Sequence, residues 1–165
     1  MGSGKTSVGI KIASLTGLKF EDLDERIVRD SKTQIKDIFA KFGEDYFRKL
    51  ETKTAKKVLK PGSMVVSTGG GIVTRPENFV VLKKGGTVVY LKNSFAVCAR
   101  RLRGCIDRPL FDSANLGKTE KLFKMRQKFY DKAADITVNT GKMSVLQAAK
   151  EVIKKAGIKV EKNKA

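Results

Sequence analysis

The 165-residue sequence contains no histidine and no tryptophan, and only two cysteines and three prolines. Each shortage closes a class of function. Cys98 and Cys105 sit seven apart in a basic stretch, and with no histidine in the chain they lack the usual partners of a zinc site. Two cysteines are too few for a disulfide framework, so both are read as free thiols of a reducing cytosol. No apolar run approaches the ~20 residues of a membrane span. The N-terminus is built of Gly, Ser and Lys and lacks the apolar segment of a secretory leader, so a cytoplasmic protein is expected. Hydrophobic residues, at 41%, suffice for a core and exclude a disordered chain. The length suits one domain.

Positive charge, by contrast, is abundant. Thirty-five Lys and Arg against 17 Asp and Glu leave a net charge of +18. Such a surface attracts anions in general. The lysines are spread along the chain, and no helix-turn-helix, zinc-finger or RNP-like aromatic pattern accompanies them, so nucleic acid is not expected as a partner.

The most informative stretch is Met1-Gly2-Ser3-Gly4-Lys5-Thr6-Ser7. It reads as the second half of a phosphate-binding loop, G-x-x-x-x-G-K-[ST], whose opening glycine and preceding strand would lie before Met1. Successive backbone N–H groups of Gly2, Ser3, Gly4, Lys5, Thr6 and Ser7 form an anion-binding concavity, and the helix that follows adds its positive end. Lys5 reaches the outer phosphates and the Thr6 hydroxyl ligates Mg²⁺.

A helix is predicted over Lys5–Thr16 from Val8, Ile12 and Leu15, with Gly17 behind it. A short strand at 18–20 leads to Asp22 and Asp24. In an extended segment these two carboxylates share a face, while at a helix start they would complement the dipole. Ile35, Ile38, Phe39 and Phe42 form one helix and 44–59 a longer one, interrupted at Gly43. Arg48 and Glu51, three apart, can pair on that helix. Met64–Ser67 is a buried parallel strand. It runs into Gly69-Gly70-Gly71, where a ligand can approach the backbone. A helix from Pro76 to Lys83 and a strand over 87–91 come next. Ser94 then caps a helix through Arg103. The weakly periodic segment 104–117 contains Arg108 and is expected to form a lid. A helix over 119–132 points Leu122, Met125 and Phe129 inward, with Arg126 bordering that face. The strand 136–138 and a Ser144-capped helix complete the domain at 156, and 157–165 is expected to be a disordered basic tail. The order of elements predicts an α/β fold with a parallel sheet covered on both faces.

In sum these motifs resemble the shikimate kinase family, small P-loop NTPases of the nucleoside-monophosphate-kinase-like type. The matching residues, in order, are Gly2-Ser3-Gly4-Lys5-Thr6, Asp22-Leu23-Asp24, Ile38-Phe39 with Phe47-Arg48-Lys49-Leu50-Glu51, Ser67-Thr68-Gly69-Gly70-Gly71, Arg108-Pro109-Leu110, Arg126 with Tyr130, and Ala134-Asp135-Ile136-Thr137-Val138. The resemblance spans residues 2 to about 155 and implies a three-layer α/β/α domain that phosphorylates the 3-hydroxyl of shikimate with ATP and Mg²⁺. It implies that Lys5 holds the β/γ-phosphates, Thr6 and Asp22 serve the metal, and Asp22 sits near the attacking hydroxyl. Asp24, Arg48, Arg126 and the Gly69–Gly71 backbone would hold shikimate. Arg108 would reach the transferring phosphate from the lid, and Arg101 would stack on adenine. A monomer is expected.

Two departures stand out. Lys142 lies where the family places a second adenine-side arginine. The first strand, central in this fold, is not in the sequence, and its neighbours would be left with unpaired edges. On that reading Met1 is an internal residue of the loop, and the chain as written is expected to be weakly active or inactive. A gluconate or nucleotide kinase, or a non-catalytic relative, are the competing expectations.

Overall fold

A computed structural model describes residues 2–60, 62, 64–102 and 115–160. Its elements are α1 (Lys5–Thr16), β1 (Lys19–Asp22), α2 (Leu23–Ser31), α3 (Ile35–Val58), β2 (Met64–Ser67), a 3₁₀ turn (Ile72–Thr74), α4 (Pro76–Gly85), β3 (Val89–Lys92), α5 (Phe95–Leu102), α6 (Leu116–Ala133), β4 (Ile136–Asn139) and α7 (Val145–Lys155).

The four strands form two parallel pairs, not one sheet. β1 pairs with β2 in a register that ends Asp22 opposite Ser67, and β3 pairs with β4 from Val89 opposite Ile136. Among the described residues, β2 and β3 each have a partner on one side only. Between them runs a cavity of about 500 Å³, walled by Val65 and Val66 of β2 and by Val88 to Leu91 at and within β3. Ser3 and Lys5 line it as well. The interruption falls where the sequence reading places a central strand.

Helices cover both faces. Val8 and Ile12 of α1 pack with Ala148, Ala149, Val152 and Ile153 of α7 against Leu91 and Val138. On the other face Leu23, Ala55, Leu82 and Ala133 enclose Ile72 and Val73. Val65 turns to the first cluster and Val66 to the second, as alternation along a strand requires. A third cluster, Ile27, Ile38 and Phe47, joins α2 to α3.

Local chemistry sets several boundaries. Gly43 breaks the helical geometry of α3 at φ 79°, ψ 174°, so the two predicted helices meet at a kink. Ser144 and Gln147 form a reciprocal capping box at α7. The Ser94 hydroxyl accepts from Val97 N at 3.4 Å at the start of α5. Of the two readings open for Asp24 the helix start holds: it belongs to α2, because Asp22 ends β1 and caps that helix. Other expectations are corrected. α6 begins at Leu116 and turns Phe123 and Arg126 inward, leaving Met125 51% exposed. Phe123 stacks on Phe95 and Arg126 faces the site, so these contacts, not the apolar period alone, set the helix's rotation. Within the segment expected to be a tail, Ile158 packs on the α1–α7 cluster and its N–H donates to Ile153 O at 3.1 Å. Cys98 is a buried free thiol. Cys105, Arg108 and most of the predicted lid lie outside the described residues.

Candidate active site

At one end of the site the phosphate loop folds onto the N-terminus of α1. Gly2 and Gly4 adopt left-handed geometry at φ 63° and 84°, which a side chain would resist. A Cβ at Gly2 would lie 2.6 Å from the Cys98 carbonyl oxygen, so α5 packs directly against the loop. From α5, Arg101 Nη1 donates to Gly2 O at 3.5 Å. Lys5 and Thr6 lie in the first turn of α1, with Ser7 exposed beside them. Thr6 Oγ1 donates to Asp22 Oδ2 at 2.9 Å and lies 3.5 Å from Ser67 Oγ. The parallel register of β1 and β2 brings Asp22 and Ser67 together at the strands' C-terminal ends, the usual ligand side of such sheets. Asp22 Oδ1 accepts from Asp24 N at 2.9 Å and Glu25 N at 3.4 Å, which locks the carboxylate in place. The sequence reading gave Ser67 a place in the motif but no site role, since its position opposite Asp22 depends on register.

This end fits the groups that the motif implies. A hydroxyl and a carboxylate form a hard-oxygen pair suited to Mg²⁺, and the loop N–H groups with the α1 N-terminus suit a polyphosphate.

The second end is built around a buried ion pair. Arg48 Nη1 donates to Glu51 Oε2 at 2.8 Å, and its Nη2 and Nε donate to Glu44 Oε1 at 2.9 and 3.1 Å. Arg48 is 6% exposed and Glu51 fully buried. Burial pulls the Arg48 guanidinium's pKa down, but Glu51 and Glu44 more than offset this and leave it raised. Burial pushes the Glu51 carboxyl above its ordinary range, against the pull of Arg48. Glu44 was missed, although its i,i+4 spacing to Arg48 was the signal.

The Gly69–Gly71 segment wraps this pair. A Cβ at Gly69 would strike Glu51 and Asp24, and one at Gly71 would overlap the Arg48 guanidinium. Arg126, 4% exposed, approaches from α6, and burial lowers its pKa. Among the described residues its Nε has no hydrogen-bond partner. Its charge is felt by Glu51, as is that of Asp24. One turn further along α6, the Tyr130 hydroxyl donates to Gly70 O at 2.5 Å.

The structure therefore brings together Gly2, Ser3, Gly4, Lys5, Thr6, Ser7, Asp22 and Arg101 at one end. At the other it assembles Asp24, Arg48, Gly69, Gly70, Gly71 and Arg126. Asp22 and Asp24, two residues apart, join the ends. Anion-binding backbone, a lysine, a hydroxyl–carboxylate pair and a separate arginine pocket define a P-loop phosphotransferase acting on a small anionic acceptor.

Comparison narrows the class. The family model for shikimate kinase matches residues 1–157. The shikimate kinase of Persephonella marina is 38% identical over 153 residues, covering 93% of this chain and 92% of that one. Shikimate kinase from Acinetobacter baumannii, solved in complex with shikimate, superposes with a TM-score of 0.90 at 34% identity, covering 93% of this chain and 87% of that chain. The Aquifex aeolicus enzyme gives 0.80 at 35% identity over 93% and 89%. This chain belongs to the shikimate kinase family, whose members are enzymes that use ATP with Mg²⁺. Among the described residues no helix is long and apolar enough to cross a membrane.

Proposed function

We propose that this chain phosphorylates the 3-hydroxyl of shikimate with ATP and Mg²⁺, giving shikimate 3-phosphate. The observation that carries this is the buried Arg48–Glu51–Arg126 cluster against Gly69–Gly71, joined through Asp24 and Asp22 to the phosphate loop. An acid with ring hydroxyls matches it. Arginine forks bind both carboxylate oxygens, and Asp24 accepts from hydroxyls.

The residues divide the work. Lys5 and the loop N–H groups hold the β- and γ-phosphates. Thr6 and Asp22 would hold Mg²⁺, which would supply positive charge for phosphoryl transfer. Asp22, fixed by its capping bonds, orients the acceptor hydroxyl. Arg48 and Arg126 grip the carboxylate, and the backbone of Gly69–Gly71 meets the ring. Arg101 covers the adenine side. Arg108, in the lid of a single domain over 1–156, brings positive charge to the transferring phosphate. Phosphoryl transfer needs such positioning and charge more than covalent participation. The named groups belong to one chain, which supports action as a monomer, and the need for ATP points to the cytoplasm.

The test is ADP release, coupled to NADH oxidation, with shikimate or gluconate as acceptor. Of the two acceptors, shikimate is expected to be the one turned over, even if slowly. Turnover with gluconate and none with shikimate would overturn the proposal.

A further inference from the structure

The three carbonyls of the glycine segment are held in two different ways. Gly69 O accepts from Ile72 N at 3.3 Å. Gly71 O accepts from Thr74 N at 2.9 Å and Thr74 Oγ1 at 2.7 Å. Both are bonds within the local turn. The middle carbonyl, Gly70 O, is held from 60 residues away, by Tyr130 on α6. Three consecutive glycines have no side chains to set the tilt of their peptide planes, so rotation of the middle plane is cheap unless something grips it. A trans peptide points its C=O and the next N–H in opposite directions. Fixing Gly70 O against α6 therefore aims Gly71 N–H away from α6.

We propose that Tyr130 is a positioning residue for the acceptor site: its hydroxyl sets the Gly70–Gly71 peptide plane, and so the backbone surface the acceptor meets beside Arg48. Its setting suits the task. The ring stacks on Tyr90, with centroids 5.1 Å apart, which leaves the hydroxyl little freedom. Burial pushes the phenol's pKa up to about 12, so the group remains a donor throughout the working range of the protein. Arg126 lies one turn before Tyr130 on α6. One helix thus places both a side chain for the acceptor's anionic group and the clamp on the backbone facing its ring.

This inference rests on the acceptor site proposed above, and the experiment separates the two. Wild-type, Tyr130→Phe and Tyr90→Phe proteins are compared for the KM of shikimate, the KM of ATP, kcat, thermal midpoint and amide hydrogen exchange over residues 69–74. Tyr90→Phe removes a hydroxyl from the same ring pair without touching the glycines and is expected to match wild type. Tyr130→Phe is expected to raise the shikimate KM about five- to tenfold, the size of one net hydrogen bond, with the ATP KM and kcat within about twofold. Exchange at Ile72 and Thr74, whose N–H groups bond Gly69 O and Gly71 O, is expected to quicken while the rest of the chain is unchanged. A parallel fall in kcat, ATP affinity and thermal midpoint would show a merely structural role. Unchanged exchange at Ile72 and Thr74 would overturn the proposal whatever the acceptor proves to be. Wild-type inactivity on shikimate would instead defeat the functional reading and leave exchange to decide on Tyr130.

Discussion

Gly71→Ala is the substitution whose effect follows most directly from the geometry. Gly71 sits at φ −96°, ψ −6°, a conformation alanine adopts freely, so backbone strain contributes nothing. The cost arises in space. The new methyl would overlap Cζ, Nη1 and Nη2 of Arg48. That guanidinium has no easy retreat, being tied to Glu51 at 2.8 Å and to Glu44 at 2.9 Å. To admit the methyl it must swing out and loosen its hold on a fully buried carboxylate. Overpacking of this kind costs about 1–3 kcal/mol. For a domain of this size that is a fall of roughly 2–4 °C in thermal midpoint for each kcal/mol. A displaced Arg48 also loses its charge-assisted bonds to the acceptor, worth about 1.5–3 kcal/mol each. The shikimate KM should then rise roughly 10- to 100-fold. The clash lies wholly at the acceptor end, so the ATP KM should hold. Scanning calorimetry and the coupled ADP-release assay measure both arms. A lowered midpoint with unchanged shikimate KM would remove Arg48 from the acceptor grip. An unchanged midpoint would refute the packing of Gly71 on Arg48.

Three further outcomes follow from the same geometry. Lys5→Ala should lower kcat by at least 10²–10³-fold, since it removes charge aimed at the transferring group; single-turnover kinetics giving less than tenfold would contradict its role. Asp22 caps α2 and also faces Thr6, so Asp22→Ala should cost about 1 kcal/mol of stability as well as turnover. Asp22→Asn should keep the cap and lose only turnover, and equal denaturation midpoints for the two variants would contradict the capping role. The Lys83 ammonium and then the Val88 N–H hold the Asp135 carboxyl below its ordinary value of 3.8. Its contribution is therefore present above that value and lost as pH falls through the lowered one. Asp135→Asn should flatten the decline in thermal midpoint below about pH 4, and a parallel decline would count against the bond.

What could be read from the sequence was what depends on neighbours along the chain. The Gly-Lys-Thr loop, the kink at Gly43, the cap at Ser144 and the Arg48–Glu51 pair each rest on residues within four positions. The site's second layer depends on register and on helix rotation. Ser67 meets Thr6 because β1 and β2 align Asp22 with Ser67. Tyr130 turns inward to the Gly70 carbonyl and Arg126, one turn before it on α6, faces the same side, whereas a reading of apolar periodicity points Met125 there instead. Asp22 shows a third kind of ambiguity. Strand-end and helix-start readings competed for it, and it meets both descriptions, ending β1 with one oxygen on the cap and the other on Thr6.

The electrostatics of the arginine pocket explain why its selectivity should be for acids. Two guanidinium groups buried in one pocket repel, and burial already lowers the pKa of Arg126. Glu51 offsets this for Arg48 by direct contact, at the expense of a carboxylate with no access to solvent. Arg126 receives the longer-range attraction of Tyr130, Glu44 and Glu51, and among the described residues its Nε lacks a hydrogen-bond acceptor. A neutral polyol entering this pocket would leave that donor unmatched, and an unsatisfied buried polar group costs about 1–3 kcal/mol, more when charged. An incoming carboxylate would supply the acceptor and neutralise the excess in one step. On the proposed function this pair would discriminate among acceptors, because its two arginines are not equivalent. Arg48 is held by Glu51 and Glu44, while Arg126 would complete its coordination with the ligand.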